Sequence, residues 1–182
     1  MRTSTLVAAA VIGMIALGGA TTTADRSTGT DDDLGKDMFI LDDCDPSEAG
    51  GWGPGGCIRR RGNVSRAEFN AYLPSPFSLS VVGHPAWEFG PNYLKIRAVN
   101  FLRVTNVGGR GHTFTKVAEY GGGKIPVPAL NQGLTMAPEC ATSTDIAPGG
   151  GEETVSGLAV GNHKFQCCIH PWMRAQVKVF PE

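Results

Sequence analysis

The sequence predicts an all-β protein, a Greek-key β-sandwich that follows a short N-terminal extension. Glycine is abundant, with 25 of the 182 residues, and residues that favour helices are few. Short apolar runs recur along the C-terminal part of the chain, with Gly or Pro between one run and the next. Short, regularly spaced strands joined by turn residues are typical of sandwiches rather than helical bundles.

Length and charge narrow the class of protein further. The chain is long enough for one domain of about 100 to 150 residues and an extension. We place the boundary before Phe77, so that 25–76 form the extension and 77–182 the domain. The formal net charge is -1, whereas a nucleic-acid-binding surface is usually strongly basic. We therefore expect no nucleic-acid partner.

Residues 1–24 have the layout of a secretory signal peptide. A positive start at Arg2 precedes the apolar run Leu6–Leu17, and small residues continue to Ala24. The alternative is a retained membrane anchor, but a spanning helix needs about 20 apolar residues. We therefore expect cleavage after Ala20 or Ala24 and a secreted or periplasmic protein with no membrane span after signal removal.

The extension begins with a polar, acidic stretch, Asp25–Asp37, that buries too little apolar surface to fold alone. We expect it to be a flexible leader. An apolar run, Met38–Leu41, then leads into a Gly-rich loop that contains Cys44 and Cys57.

A short helix is expected next. Ser65 and Glu68 have the spacing of a capping box, and Pro74 blocks continuation. The predicted helix therefore spans Arg66–Leu73, and we expect it to pack on the sandwich as an appendage.

Beyond Pro76 the pattern changes to strands, with a long loop from Gly121 to Gly151. The predicted strands are 77–82, 93–98, 100–106, 112–119, 153–156, 163–168 and 175–180.

The most informative stretch lies before the last strand, in Asn162–Ala175. Cys167, His170 and Met173 form a C-x-x-H-x-x-M array there, which offers a thiolate, an imidazole and a thioether from one loop. A second imidazole is available at His112. Two His, one Cys and a weak axial Met form the donor set of blue-copper sites. The four residues therefore predict one mononuclear copper site.

The segments around His112 and Cys167 resemble the ligand segments of the cupredoxins, small blue copper proteins such as plastocyanin and amicyanin. The resemblance covers about Phe77 to Glu182. It implies a type 1 copper ion held by His112, Cys167, His170 and, at long range, Met173. It also implies that Thr113 braces the two ligand loops.

The parity of the ligand strand favours Cys167 over its neighbour as the ligand. Side chains alternate between the two faces of a strand, so Phe165 and Cys167 share one face, while Gln166 and Cys168 share the other. If the apolar Phe165 faces the core, Cys167 does too.

Five cysteines in an oxidising compartment leave one thiol unpaired. If Cys167 binds the metal, the economical disulfides are Cys44–Cys57 and Cys140–Cys168, although sequence alone does not fix the connectivity.

The motif leaves several functions open. The first is a monomeric blue copper protein, not an enzyme, that passes single electrons between protein partners. The second is a copper carrier or buffer with the same ligands. The third is a metal-free binding module in which Cys167 and Cys168 are oxidised. A hydrolase is disfavoured because Cys167 and His170 lie in one tight loop without a third orienting group.

Other residues near the motif have plain structural interpretations. His163 and His84 are each expected to be structural or surface histidines. Pro171 and Trp172 either stiffen the ligand loop and surround His170 with apolar surface or simply pack.

Overall fold

The computed structural model describes residues 34–41, 65–67, 87–126, 128–131 and 133–182. The strands in these ranges are β1 Gly35–Leu41, β2 Glu88–Gly90, β3 Tyr93–Arg97, β4 Phe101–Asn106, β5 Thr115–Val117, β6 Gly151–Val155, β7 Gly161–Gln166 and β8 Arg174–Phe180. A four-residue α-helix, Pro128–Asn131, and a 3-10 helix, Pro138–Thr142, lie in the long loop before β6. Among the described residues, no helix has the length and apolar character that a membrane span requires.

The strands form two four-stranded sheets, one in the order β2-β1-β4-β6 and the other in the order β3-β8-β7-β5. The β1/β4 and β3/β8 pairs are parallel, and the other pairs are antiparallel. Each connection from β2 to β7 passes from one sheet to the other. The predicted all-β Greek-key sandwich is confirmed.

The core lies between the sheets because alternate side chains of each strand point inward. In β4, for example, Leu102, Val104 and Asn106 are buried, while the residues between them are partly exposed. Side chains from both sheets join one buried apolar cluster, which includes Met38, Ile40, Leu102, Val104, Phe165, Val177 and Val179. The ligand strand β7 thus runs along a packed core.

The predicted strands agree with the structure to within two residues at five places, namely β3, β4, β6, β7 and β8. The prediction for 112–119 was too long, since only Thr115–Val117 form a strand. Here the backbone N–H of Thr113 donates to the Sγ of Cys167 at 3.3 Å, so this donor is not available for a strand partner.

The strand β1 corrects the sequence analysis, which placed Gly35–Asp37 in a flexible leader. These residues pair with β4 from Phe101 to Arg103, and Asp37 also forms a salt bridge of 2.8 Å with Arg103. Other predictions concern residues outside the described ranges, namely positions 25–33 of the leader, the signal peptide, the Cys44–Cys57 pair, the helix beyond Ala67 and the strand 77–82.

Candidate metal centre

The structure brings three of the four predicted ligands together at one end of the sandwich. Cys167 directly follows β7, His170 lies in the loop from β7 to β8, and His112 lies between β4 and β5. His112 and Cys167 are fully buried, and His170 is 9% exposed. Residues far apart in sequence therefore meet at a site closed almost completely to solvent.

The loop from Cys167 to Met173 is held by its own backbone. The N–H of Cys167 donates to the carbonyl of Met173 at 3.0 Å, and the N–H of Met173 donates to the carbonyl of His170 at 2.8 Å. From outside the loop, Lys124 N–H donates to the carbonyl of Cys168 at 2.7 Å. These bonds fix where the loop places its side chains.

Asn106 organises the loop that carries His112. Its Nδ2 donates to the carbonyls of Arg110 at 2.8 Å and Ile146 at 3.0 Å, and its Oδ1 accepts from the N–H of Gly108 at 3.0 Å. His112 and Ile146 then exchange two backbone bonds, of 3.2 and 2.6 Å. We did not predict this role, although a buried Asn at the end of a core strand is a signal, because a buried amide needs partners.

The three donor atoms converge on a small buried volume. The Nδ1 atoms of His112 and His170 are 3.0 Å apart, and each is 3.7 Å from the Sγ of Cys167. All three ligand atoms lie within 4.8 Å of one another. Two imidazoles and a thiolate directed at one point place several lone pairs together, an arrangement that a bound cation stabilises. The donor set, nitrogen with soft sulfur, suits copper.

Cys167 is set up as a thiolate. Burial raises the pKa of its thiol, but hydrogen bonds and positive charge from His112 and His170 outweigh burial and hold the pKa well below its usual value. The backbone N–H groups of Thr113, at 3.3 Å, and His170, at 3.4 Å, also donate to its Sγ. The thiolate is the form of cysteine that binds metals.

Met173 ends the ligand loop and is fully buried in the core. Axial ligation by Met173 stays a prediction.

Thr113 joins the two ligand segments, as the resemblance implied. Its backbone N–H donates to the sulfur of Cys167, and its hydroxyl accepts from the N–H of Cys168 at 2.7 Å. A hydroxyl bond from Thr115, at 3.0 Å, completes the contacts of the Thr113 oxygen.

The two neighbouring cysteines face different surroundings, as the strand parity predicted. Cys167 joins Phe165 in the main core cluster, while Cys168 packs with Cys140 in a second, smaller cluster. The predicted Cys140–Cys168 disulfide is present and links residues 28 positions apart. In the described part of the chain, Cys167 is the free cysteine.

The remaining residues near the motif take structural positions. His163 is 9% exposed, and its Nε2 lies 2.7 Å from the carbonyl of Ala159, away from the cluster. Trp172 is buried, with its ring centroid 5.2 Å from that of His170. His84 lies outside the described residues.

No protein-family model matches the chain, and no curated protein does. Among solved structures, the chain is similar to a purple cupredoxin from Nitrosopumilus maritimus, with a TM-score of 0.41 and 13% identity over 79% of this chain and 98% of that one. It is similar to a mutant fern plastocyanin, with a TM-score of 0.35 and 17% identity over 51% and 88% of the two chains. It is also similar to amicyanin from Paracoccus versutus, with a TM-score of 0.35 and 16% identity over 58% and 84%.

These identities and scores are low, so the interpretation of the site depends on its own residues. The β-sandwich and the buried cluster of His112, Cys167 and His170 agree with the cupredoxin resemblance found in the sequence.

Proposed function

We propose that this chain is a mononuclear type 1 copper protein that passes single electrons between protein partners outside the cytoplasm and is not an enzyme. The observation that supports this most is the convergence of His112 Nδ1, His170 Nδ1 and Cys167 Sγ at one buried point. Met173 is the proposed fourth, axial ligand.

Copper held by these residues would supply reversible one-electron chemistry. The contribution of the chain is a rigid set of donors. Asn106 fixes the loop before His112, and the backbone bonds of the ligand loop fix Cys167 and His170. Side chains that are held in place reorganise little when the charge of the site changes, and small reorganisation permits fast electron transfer.

His170 gives the site its contact with the surface. It is 9% exposed, whereas His112 and Cys167 are fully buried. Because the Nδ1 of His170 faces the cluster, its Nε2 is the nitrogen on the far side of the ring. We therefore propose that electrons leave through His170.

The visible absorption spectrum of the mature protein with added Cu(II) tests this proposal. We expect an intense thiolate-to-copper charge-transfer band in the wild type. The band should be absent in Cys167→Ser and lost or strongly altered in His170→Gln. His163→Gln is the matched control, since His163 has the same exposed fraction and lies outside the cluster. A folded, colourless wild type would exclude a blue copper site.

A copper carrier would show the same colour but a different exchange behaviour. Repeated cycles of reduction and oxidation in the presence of a cuprous chelator separate the two functions. An electron carrier keeps its copper through the cycles, whereas a copper carrier loses it to the chelator at the first reduction.

A further inference from the structure

The imidazole of His170 is surrounded by other rings. Its centroid lies 4.9 Å from the ring of Trp87, 5.2 Å from that of Trp172 and 4.6 Å from that of His112. The two indoles also stack on each other, with centroids 5.8 Å apart and an interplanar angle of 23°. Trp87 is 83 positions from His170 in sequence. Of the residues that contribute these rings, it is the one outside the two ligand segments.

The backbone of Trp87 is unusual. Its φ angle is 55°, and among the described residues it is the non-glycine residue with a positive φ. A bulky side chain in the left-handed region is disfavoured, and such conformations persist when the surrounding structure imposes them. Two contacts do so here. The next residue, Glu88, pairs with Leu41 in the sheet, and the indole packs against His170 and Trp172.

We propose that Trp87 is a positioning residue for the metal centre: its strained backbone directs the indole onto His170, where it fixes the imidazole and, with Trp172, excludes water. The consequences for copper rest on the proposed function, whereas the restraint on the ring exists in the metal-free protein too. The imidazole packs against two indoles that also stack on each other, so it turns toward them only if an indole moves.

Exclusion of water should also shift the reduction potential of the copper site in one direction. A copper site with one thiolate carries one more positive charge when it is oxidised than when it is reduced. A poorly hydrated environment disfavours the form with the higher charge. The indole of Trp87 is therefore expected to raise the reduction potential, and its removal to lower it.

Two substitutions separate the ring from the backbone. Trp87→Asn removes the ring but places a residue there that tolerates a positive φ. Trp87→Phe keeps a ring at the same strained position. Tyr93→Asn, on an exposed tyrosine of β3, is the control for loss of an aromatic residue that is not part of the ring group around His170.

Diethyl pyrocarbonate labelling of the metal-free protein, read by mass spectrometry, measures access to each imidazole. We expect the labelling rate of His170 to rise about tenfold in Trp87→Asn, as a local opening would cause. The rate should stay near the wild-type value in Trp87→Phe and Tyr93→Asn. His163 serves as the internal reference and should be unchanged throughout.

Two results would overturn the proposal. One is an unchanged His170 rate in folded Trp87→Asn, which would mean that the indole does not cover the imidazole. The other is a parallel rise at His170 and His163, which would make Trp87 a general support of the fold. In the copper form, Trp87→Asn should also have a lower reduction potential and faster copper loss. A colourless wild type would refute the proposed function but leave the labelling result valid.

Discussion

Replacement of Thr113 by Val tests how the two ligand segments are joined. Thr113 is fully buried, and Val has nearly the same shape, so the substitution removes little more than one oxygen. That oxygen accepts hydrogen bonds from the N–H of Cys168 at 2.7 Å and from the hydroxyl of Thr115 at 3.0 Å. In Thr113→Val, the buried N–H of Cys168 loses its acceptor.

The expected cost follows from this orphaned donor. An unsatisfied buried donor costs about 1 to 3 kcal/mol, and we expect the metal-free protein to lose about 2 kcal/mol of unfolding free energy. In a protein of this size, that loss lowers the melting temperature by roughly 4 to 8 °C. Thr115 is only partly buried, so its hydroxyl can turn to water and adds little.

Urea unfolding of the metal-free protein measures this loss. Thr115→Val is the matched control, because it removes a hydroxyl from the same pair while the N–H of Cys168 keeps its bond to Thr113. We expect the control to lose less than about 1 kcal/mol. Equal losses of unfolding free energy in the two variants would refute the argument. They would show that removing the acceptor of the Cys168 N–H costs no more than removing the hydroxyl of Thr115.

Three further predictions follow from crowding and burial. A Cβ on Gly123 would clash with the carbonyl oxygen of Cys168, whereas one on Gly111 meets nothing within 4 Å. Gly123→Ala should therefore lower the urea midpoint and alter the copper band, and Gly111→Ala should change neither. Burial raises the pKa of Tyr120 to about 12. An unfolded tyrosine ionises near 10, so stability should fall between about pH 10 and 12, and Tyr120→Phe should remove the last step of the ultraviolet tyrosinate titration. Burial also raises the pKa of Glu153. The folded protein then holds that proton more tightly than the unfolded chain, so stability falls as pH rises through the glutamate range. Glu153→Gln should accordingly be more stable than wild type at neutral pH and equal to it at pH 3 in thermal unfolding.

The last two predictions have clear contrary outcomes. A tyrosinate titration with the same final step in Tyr120→Phe would assign that step to another tyrosine. A stability difference for Glu153→Gln that does not change with pH would show that burial of the carboxylate is not its cause.

Part of the candidate site was predictable because two of its three converging residues are close in sequence. Cys167 and His170 lie three residues apart, and the alternation of a strand was enough to separate Cys167 from Cys168. Trp87 was missed for the opposite reason. Its contact with His170 depends on a backbone conformation and on a sheet pairing, neither of which leaves a pattern in the sequence around it.

The fold was predictable where strands alternate between buried and exposed residues. The strand β1 was not predicted because its first residues, such as Lys36 and Asp37, are polar, which is typical of a flexible leader. Both of these side chains are exposed, while Met38 and Ile40 further along enter the core. Parallel pairing of β1 with β4 supplies the partner, and no local signal reveals a partner 66 residues away.

The adjacent positions of Cys167 and Cys168 have a consequence for how the protein matures. In an oxidising compartment Cys140 would find two thiols side by side, and a bridge to Cys167 would yield an isomer that lacks the thiolate ligand. The strand direction decides between them, since Cys168 shares a small cluster with Cys140 while Cys167 faces the main core. Pairing before β7 docks would lack this selection. Selection of Cys168 over Cys167 by the alternation of the strand therefore acts only once β7 has docked on the sandwich.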